Sequence, residues 1–320
     1  MYIEKVEKGL QLGDFKLKKL LGSGGMGEVW LAEQTLMDRF VAVKILSSQF
    51  NSNKRFIEKF KNEIKLSAKL NHPNIISAYA AGYEKGIYYF AMPYIDGVEL
   101  QERLNLEKID EITSLRMVKN IAEGLQYSWN KFQIVHRDIK PSNIMLNEDG
   151  IAMLMDMGIS KVATLSSTQK DEYIEGTPHY MSPEQARGES NLDFHSDIYS
   201  LGATLYQMLT GRIPFNATKV KDIMILHQIA PLPLPRELSK EISYLLEIMM
   251  AKNVDDRHNS WEKLISDIDR VLLGSKPISY RHIKSLRTSQ EIIQNPKTGE
   301  FIEFTKKESF LEKVASFLFL

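Results

Sequence analysis

His136-Arg137-Asp138-Ile139-Lys140-Pro141-Ser142-Asn143 sets a carboxylate, an ammonium and a carboxamide in one short polar stretch, just after the apolar pair Ile134-Val135. Loops held on a rigid scaffold are where chemistry-bearing side chains concentrate. These three types divide the work of moving a phosphoryl group. Asp138 can orient a hydroxyl and accept its proton, Lys140 can neutralise charge on the group in transfer, and Asn143 can offer a hard oxygen to Mg²⁺. A random polar loop rarely supplies all three. Three further stretches admit two readings each. Asp156, in Leu154-Met155-Asp156-Met157-Gly158, is either a metal ligand or a turn aspartate among apolar neighbours. Lys44 ends the apolar run Val41-Ala42-Val43. It is either a buried ammonium that needs a partner, with Glu63 the natural candidate, or an edge-strand lysine that reaches back to water. Gly22-Ser23-Gly24-Gly25-Met26-Gly27 is either a tight hairpin or a glycine flap over phosphates.

The elements that must position these residues fall into two textures. Phe15 to Leu46 carries apolar residues in short runs, FKLKKLLG, EVWLAE and RFVAVKIL, which predict a small antiparallel sheet. Because EVWLAE is a strand, the glycines do not open a helix as a dinucleotide-binding turn requires, and no Gly-Lys-Ser/Thr follows as in a P-loop. Phe56, Phe60 and Ile64 recur at helical spacing over residues 54–70, a run ended by Asn71-His72-Pro73. GIYYFAMPYI predicts one more strand, closed by Asp96-Gly97. Beyond it, periodic stretches over 111–132, 197–210, 240–251 and 260–272 predict a helical body.

Composition narrows the partners. At 320 residues, 43% hydrophobic and 26% charged, the chain is a globular protein of one or two domains. Lys plus Arg equals Asp plus Glu at 41 each, so no global field draws it to nucleic acid or an anionic membrane. The absence of cysteine excludes disulfides, thiolate metal sites and a Cys nucleophile. The first residues are charged where a signal peptide needs an apolar stretch, and no run approaches the 18 or more apolar residues of a membrane span. A cytoplasmic location is expected, with membrane anchoring only if the natural chain continues beyond Leu320.

GSGGMGEV, VAVK, HRDIKPSN, DMG and SPE stand in the order of the protein-kinase signature set, and the stretch from about residue 14 to 273 resembles a eukaryotic-like Ser/Thr protein kinase of the bacterial type. The resemblance implies an α+β bilobal fold. Residues 14–95 would form an ATP-binding N-lobe of antiparallel sheet and one main helix, 96–273 a mainly helical catalytic and substrate-binding C-lobe, and 274–320 an extension of unassigned role. It implies that Lys44, held by Glu63, contacts the α- and β-phosphates, and that Asn143 and Asp156 hold Mg²⁺, with Mn²⁺ as an alternative. Leu21, Gly22, Gly24, Gly25, Gly27, Val29, Ala42, Met92, Pro93 and Ile95 would surround ATP. The Pro93 carbonyl and the Ile95 backbone would face the base, a task for which a proline's missing N–H is no handicap. Lys140, with Thr177 bonding alongside, marks Ser/Thr acceptors on protein substrates. Autophosphorylation is implied too, with a homodimer as one means of achieving it in trans. Glu184 would pair with Arg257, and Asp197 would anchor the backbone of the catalytic loop.

Two positions depart from the family pattern: Met157 replaces Phe after the metal aspartate, and Ser182 replaces Ala before Pro183-Glu184. Methionine is adaptable enough to fill an apolar slot. These departures favour a competing reading, a nucleotide-binding scaffold without transfer, while the retained Lys44, Asp138, Asn143 and Asp156 oppose it. A small-molecule kinase is disfavoured by Gly176-Thr177-Pro178 and SPE, which in the family shape a peptide-binding shelf. Arg137 implies an activation segment, Asp156 to Glu184, ordered by a negative charge. Thr164, Ser166, Ser167 and Thr168 are candidate phosphosites there, and Asp171 is a built-in carboxylate with less charge than the roughly −1.5 to −2 of a phosphate. In the extension, 291–304 predicts a hairpin around Asn295-Pro296-Lys297-Thr298-Gly299, and Ser309 to Leu320 an apolar-sided segment docked on the kinase or a partner.

Overall fold

Alternation along Arg39–Leu46 decides how the front of the molecule is built. Val41, Val43 and Ile45 are buried on one face, and Ala42 and Leu46 on the other, so the strand has a core on each side. Lys44 shares the face of Ala42 and Leu46 and is thereby directed to one chosen side. The computed structural model describes residues 5–24, 27–50, 53–156, 178–280, 292–294 and 301–303. In it, β1 (Gln11–Leu12), β2 (Phe15–Gly24), β3 (Gly27–Gln34), β4 (Arg39–Leu46), β5 (Ala80–Glu84) and β6 (Ile87–Pro93) form an antiparallel sheet in the order β1-β2-β3-β4-β6-β5. The odd-numbered face of β4 packs with Leu12, Leu17, Trp30 and Ile87. The even-numbered face joins Phe60, Ile76, Phe90 and Met92, with Met145 and Met155 of the C-terminal body packed against them. This second core crosses from the sheet into the body.

α1 (Lys54–Ser67) covers that second face. Phe60 lies against Phe90, ring centroids 5.4 Å apart, and Glu63, one turn on, is buried with them. The helix stops at Ser67, short of the expected residue 70, where the Ser67 hydroxyl accepts from the Ala78 N–H at 2.8 Å. Beyond β6 come β7 (Gly97–Glu99), α2 (Leu100–Leu106) and α3 (Glu111–Phe132). Asp110 caps α3 by accepting from Thr113 N at 2.9 Å. β8 (Ile144–Asn147) pairs with β7 on one side and with β9 (Ala152–Leu154) on the other, a three-stranded antiparallel sheet at the cleft.

α4 (Pro183–Arg187), α5 (Phe194–Thr210), α6 (Val220–Ile229), α7 (Lys240–Met249) and α8 (Trp261–Leu272) complete the body. α5 is buried on every face from Ser196 to Leu209, the centre of the body, with its polar residues Ser196, Asp197, Ser200 and Thr204 hydrogen-bonded inside. The long helices stand where the periodicity predicts them. The short strands β5 and β7 to β9 and the helices α2 and α4 are not among the elements the pattern predicts, because they span too few turns or alternations to carry a period; α6, as long as α7, is not predicted either. After α8 the chain stays on the body: the buried Asp267 carboxylate accepts from the N–H groups of Ile278 at 2.6 Å and Ser279 at 3.2 Å, and Tyr280 stacks on Tyr244. The expected hairpin is present as β10 (Ile292–Gln294) paired antiparallel with β11 (Phe301–Glu303). Its turn and the segment Ser309 to Leu320 lie outside the described residues. Among the described residues no helix is long and apolar enough to cross a membrane.

Candidate active site

Lys44 is a largely buried ammonium with two partners. Its Nζ lies 2.8 Å from Glu63 Oε1 and 2.7 Å from Asp156 Oδ1, which excludes the reading of an edge lysine turned to water. Burial alone would lower its pKa, but the carboxylates of Asp156 and Glu63 outweigh that cost and hold it above the ordinary lysine value. Asp156 remains open to the cleft at 35% side-chain exposure, so a ligand can reach its second oxygen. Its backbone is left-handed, φ 52°, a conformation that costs energy for a residue with a Cβ and is found at sites where surrounding contacts hold it.

The loop bearing Asp138 is fixed mostly through main-chain atoms. Asp197, buried at the start of α5, accepts from His136 N at 2.7 Å and Arg137 N at 2.8 Å. Burial pushes its carboxyl up to about 7, against the pull of those two donors. His136 is fully buried; its Nε2 faces Met155 O at 3.2 Å and its Nδ1 accepts from Asp138 N at 3.2 Å. Since a carbonyl can only accept, the ring carries its proton on Nε2 and is neutral. Arg137 is left-handed at φ 68°. On this frame Lys140 Nζ sits 3.2 Å from Asp138 Oδ2, and Asn143 Nδ2 donates to Asp138 O at 2.7 Å and Oδ2 at 3.2 Å. With its nitrogen so engaged, Asn143 leaves its carbonyl oxygen as the available atom.

The Met155 N–H donates to Asn143 O at 2.9 Å, which ties the two expected metal ligands to neighbouring backbone. Their donor set suits a hard cation, two oxygens being what Mg²⁺ takes from protein when phosphate and water complete its shell. Glu63 and Asp156 both pair with Lys44, and Asp138 pairs with Lys140. No group of three or more His, Cys, Asp or Glu among the described residues forms a metal cluster of the all-protein kind.

A cavity of about 220 Å³ opens between sheet and body. Of the residues expected around ATP, Leu21, Gly22, Val29, Ala42, Met92, Pro93, Ile95 and Asp156 line it. Lys44 and Glu63 stand behind Asp156, and Gly24 and Gly27 face each other at the tip of the β2–β3 hairpin. Gly27 is obligatory, since a Cβ there would meet Ile45 O at 1.8 Å. A Cβ on Gly22 or Gly24 would meet nothing within 4 Å, so packing within the protein does not demand glycine at either. Gly25, Met26, Met157, Thr177, Asp171 and the hydroxyl cluster at 164–168 lie outside the described residues.

Ile76, Met145 and Met155, which local motifs do not single out, complete the apolar lining. The supports are as expected. Arg257 donates from both nitrogens to Glu184, at 2.8 and 2.9 Å, and Ser196 Oγ donates to the same carboxylate at 2.6 Å. Ser182 has a task of its own: it caps α4 in a reciprocal box with Gln185, so the departure from Ala at this position strengthens a helix start.

Residues 15–267 match the family described as Protein kinase domain. The serine/threonine-protein kinase PrkC of Bacillus subtilis is 34% identical over 297 residues, 90% of this chain and 46% of its own length. PknB of Mycolicibacterium smegmatis is 34% identical over 274 residues, 82% of this chain and 44% of its own. The chain thus spans a little under half the length of these relatives. The PknI kinase domain of Mycobacterium tuberculosis shares the fold, with a TM-score of 0.63 at 23% identity, over 84% of this chain and all of that one. The matched stretch holds both walls of the cleft and every residue of the Lys44 and Asp138 networks, and the chain belongs to the protein kinase family, its similar relatives being bacterial serine/threonine-protein kinases.

Proposed function

We propose that this cleft transfers the γ-phosphoryl group of Mg-ATP to Ser or Thr hydroxyls of protein substrates. The observation that carries the reading is the placement of Lys140 and Asn143 each within 3.2 Å of the Asp138 carboxylate, on a loop whose backbone is fixed from the core. Asp138 orients the acceptor hydroxyl and takes its proton. Lys140 sits where negative charge on the group in transfer needs an opposing charge. Lys44, kept charged by Asp156 and Glu63, contacts the α- and β-phosphates. Asn143 and Asp156 would hold the divalent ion, which when bound offsets charge on the phosphate oxygens. Val29, Ala42, Met92 and Met145 enclose the base, and the Ile95 backbone N–H and C=O, which have no partner among the described residues, are left for its polar edge.

On this reading 14–95 is the ATP-binding lobe, 96–273 the catalytic and substrate-binding lobe and 274–320 an extension. Nothing in the cleft favours a scaffold without transfer, since every charged residue the transfer needs is present and paired. The test is incorporation of label from γ-labelled ATP into a Ser/Thr-containing acceptor with Mg²⁺. Acid-stable phosphoserine or phosphothreonine that disappears with EDTA is expected. Nucleotide binding without incorporation would overturn the reading in favour of a scaffold.

A further inference from the structure

Gln185 spends both ends of its carboxamide on main-chain atoms of two different segments. Its Oε1 accepts from Ser182 N at 3.0 Å, closing the capping box of α4, and its Nε2 donates to Arg137 O at 2.9 Å. Both partners have fixed polarity, an N–H and a carbonyl, so the orientation of the amide is forced. Arg137 O belongs to the peptide unit that supplies the N–H of Asp138, and any rotation of that unit swings the Asp138 side chain. We infer that Gln185 is a positioning residue for Asp138, holding the Arg137–Asp138 peptide in place from α4.

Three facts support a role beyond capping. First, Arg137 is in the left-handed region at φ 68°, where a residue with a Cβ stays only when its surroundings over-determine it. Its N–H is held by Asp197 at 2.8 Å and its C=O by Gln185, so the strained residue is gripped at both ends. Secondly, the support under Gln185 is rigid. Glu184, the preceding residue, is locked to Arg257 and Ser196 in the interior. Thirdly, the two grips have different origins. Asp197 comes from α5, the buried centre of the body, whereas Gln185 comes from the short helix that follows residues 157–177. Loss of the second grip leaves the fold its centre and frees one face of the catalytic loop.

The inference rests on the kinase reading, and the test separates the two. Gln185→Glu keeps an acceptor for Ser182 N but sets a carboxylate oxygen against the Arg137 carbonyl; Gln185→Met loses both bonds. Turnover, KM for ATP and thermal midpoint are measured for both and for the wild type. Turnover about tenfold lower in both variants is expected, the scale of a slightly misplaced catalytic group, with KM for ATP within about twofold, because the nucleotide contacts lie elsewhere. For Gln185→Glu the ratio of its turnover to that of the wild type should also rise as pH falls toward the ordinary carboxyl range of about 4 to 5, since a protonated carboxyl regains a donor for Arg137 O. Gln185→Met has no such recovery. If Gln185→Met does not fold, Gln185→Glu, which retains half the box, carries the comparison. Wild-type turnover in Gln185→Glu, with only the thermal midpoint lowered, would overturn the inference and leave Gln185 a cap. A wild type that transfers no phosphate would instead overturn the kinase reading beneath it.

Discussion

At the scale of single residues, Lys44 shows how a charge is afforded a place in an apolar strand. Its position on the even face of β4 directs it toward α1 and the cleft, and two carboxylates receive it there. Removing it has two separable effects. Lys44→Met should cut phosphoryl transfer by about 100-fold or more, the scale of losing one preorganised charge at a reacting phosphate. It should also lower the thermal midpoint, because Glu63 is left buried with no counter-charge. Adding Glu63→Gln should recover stability without recovering transfer. Melting curves and transfer rates of both variants check this, and a Lys44→Met enzyme with near wild-type turnover would exclude the assigned role. Asp138, Lys140 and Asn143 were legible in the sequence because their spacing is local. The contact of Lys44 with Asp156 was not foreseen: 112 residues separate them, and the family resemblance placed both around the nucleotide without pairing them. His136 and Gln185 escaped notice for another reason: their partners are main-chain atoms, which no sequence pattern marks.

At the scale of elements, the body is held where α4 meets α5 and the loop before α8. Glu184 and Arg257 are both buried there, and burial, which would raise the Glu184 pKa, is outweighed by the guanidinium and by Ser196, so that it falls to about 2. The folded-state pKa lies below the unfolded one. The stabilisation is therefore fully present above about pH 4.5 and is lost as pH falls toward about 2; at neutral pH it is on the order of 3 kcal/mol. Glu184→Gln, which leaves the buried guanidinium without its counter-charge, should destabilise the protein by about 3–5 kcal/mol at pH 7. Denaturant titrations should find the gap from wild type narrowing as pH drops through 4.5. A gap that is constant with pH would mean the pair does not titrate as described. The long helices α3, α5, α7 and α8 were legible because each repeats its apolar period over several turns. α4 was not, since five residues cannot display a period; its signal was the Ser182-to-Gln185 box, a spacing that also occurs by chance.

At the scale of the molecule, the even face of β4 and the methionines of the body share one core, so the walls of the cleft are packed together through it. Backbone bonds reinforce this contact: Ile76 N donates to Leu154 O and Leu154 N to Asn74 O, each at 2.8 Å, just ahead of Asp156. The sheet thus brings Lys44, the body brings Asp138 and Asn143, and Asp156 stands where the two meet. The two-part architecture was legible in the change from short alternating runs to long helical periods near residue 95. The joining strands β7 to β9 were not, because three or four residues carry no alternation. The central claim is that this assembled cleft performs transfer and that Asp138 is the group acting on the acceptor. It is tested most directly by measuring nucleotide binding and phosphate transfer side by side for the wild type and Asp138→Asn. The account predicts nucleotide affinity equal within about threefold, because Asp138 does not line the nucleotide cavity, and transfer lower by about 100-fold or more, the range of a general base. Asp138→Asn transferring phosphate at the wild-type rate would contradict it.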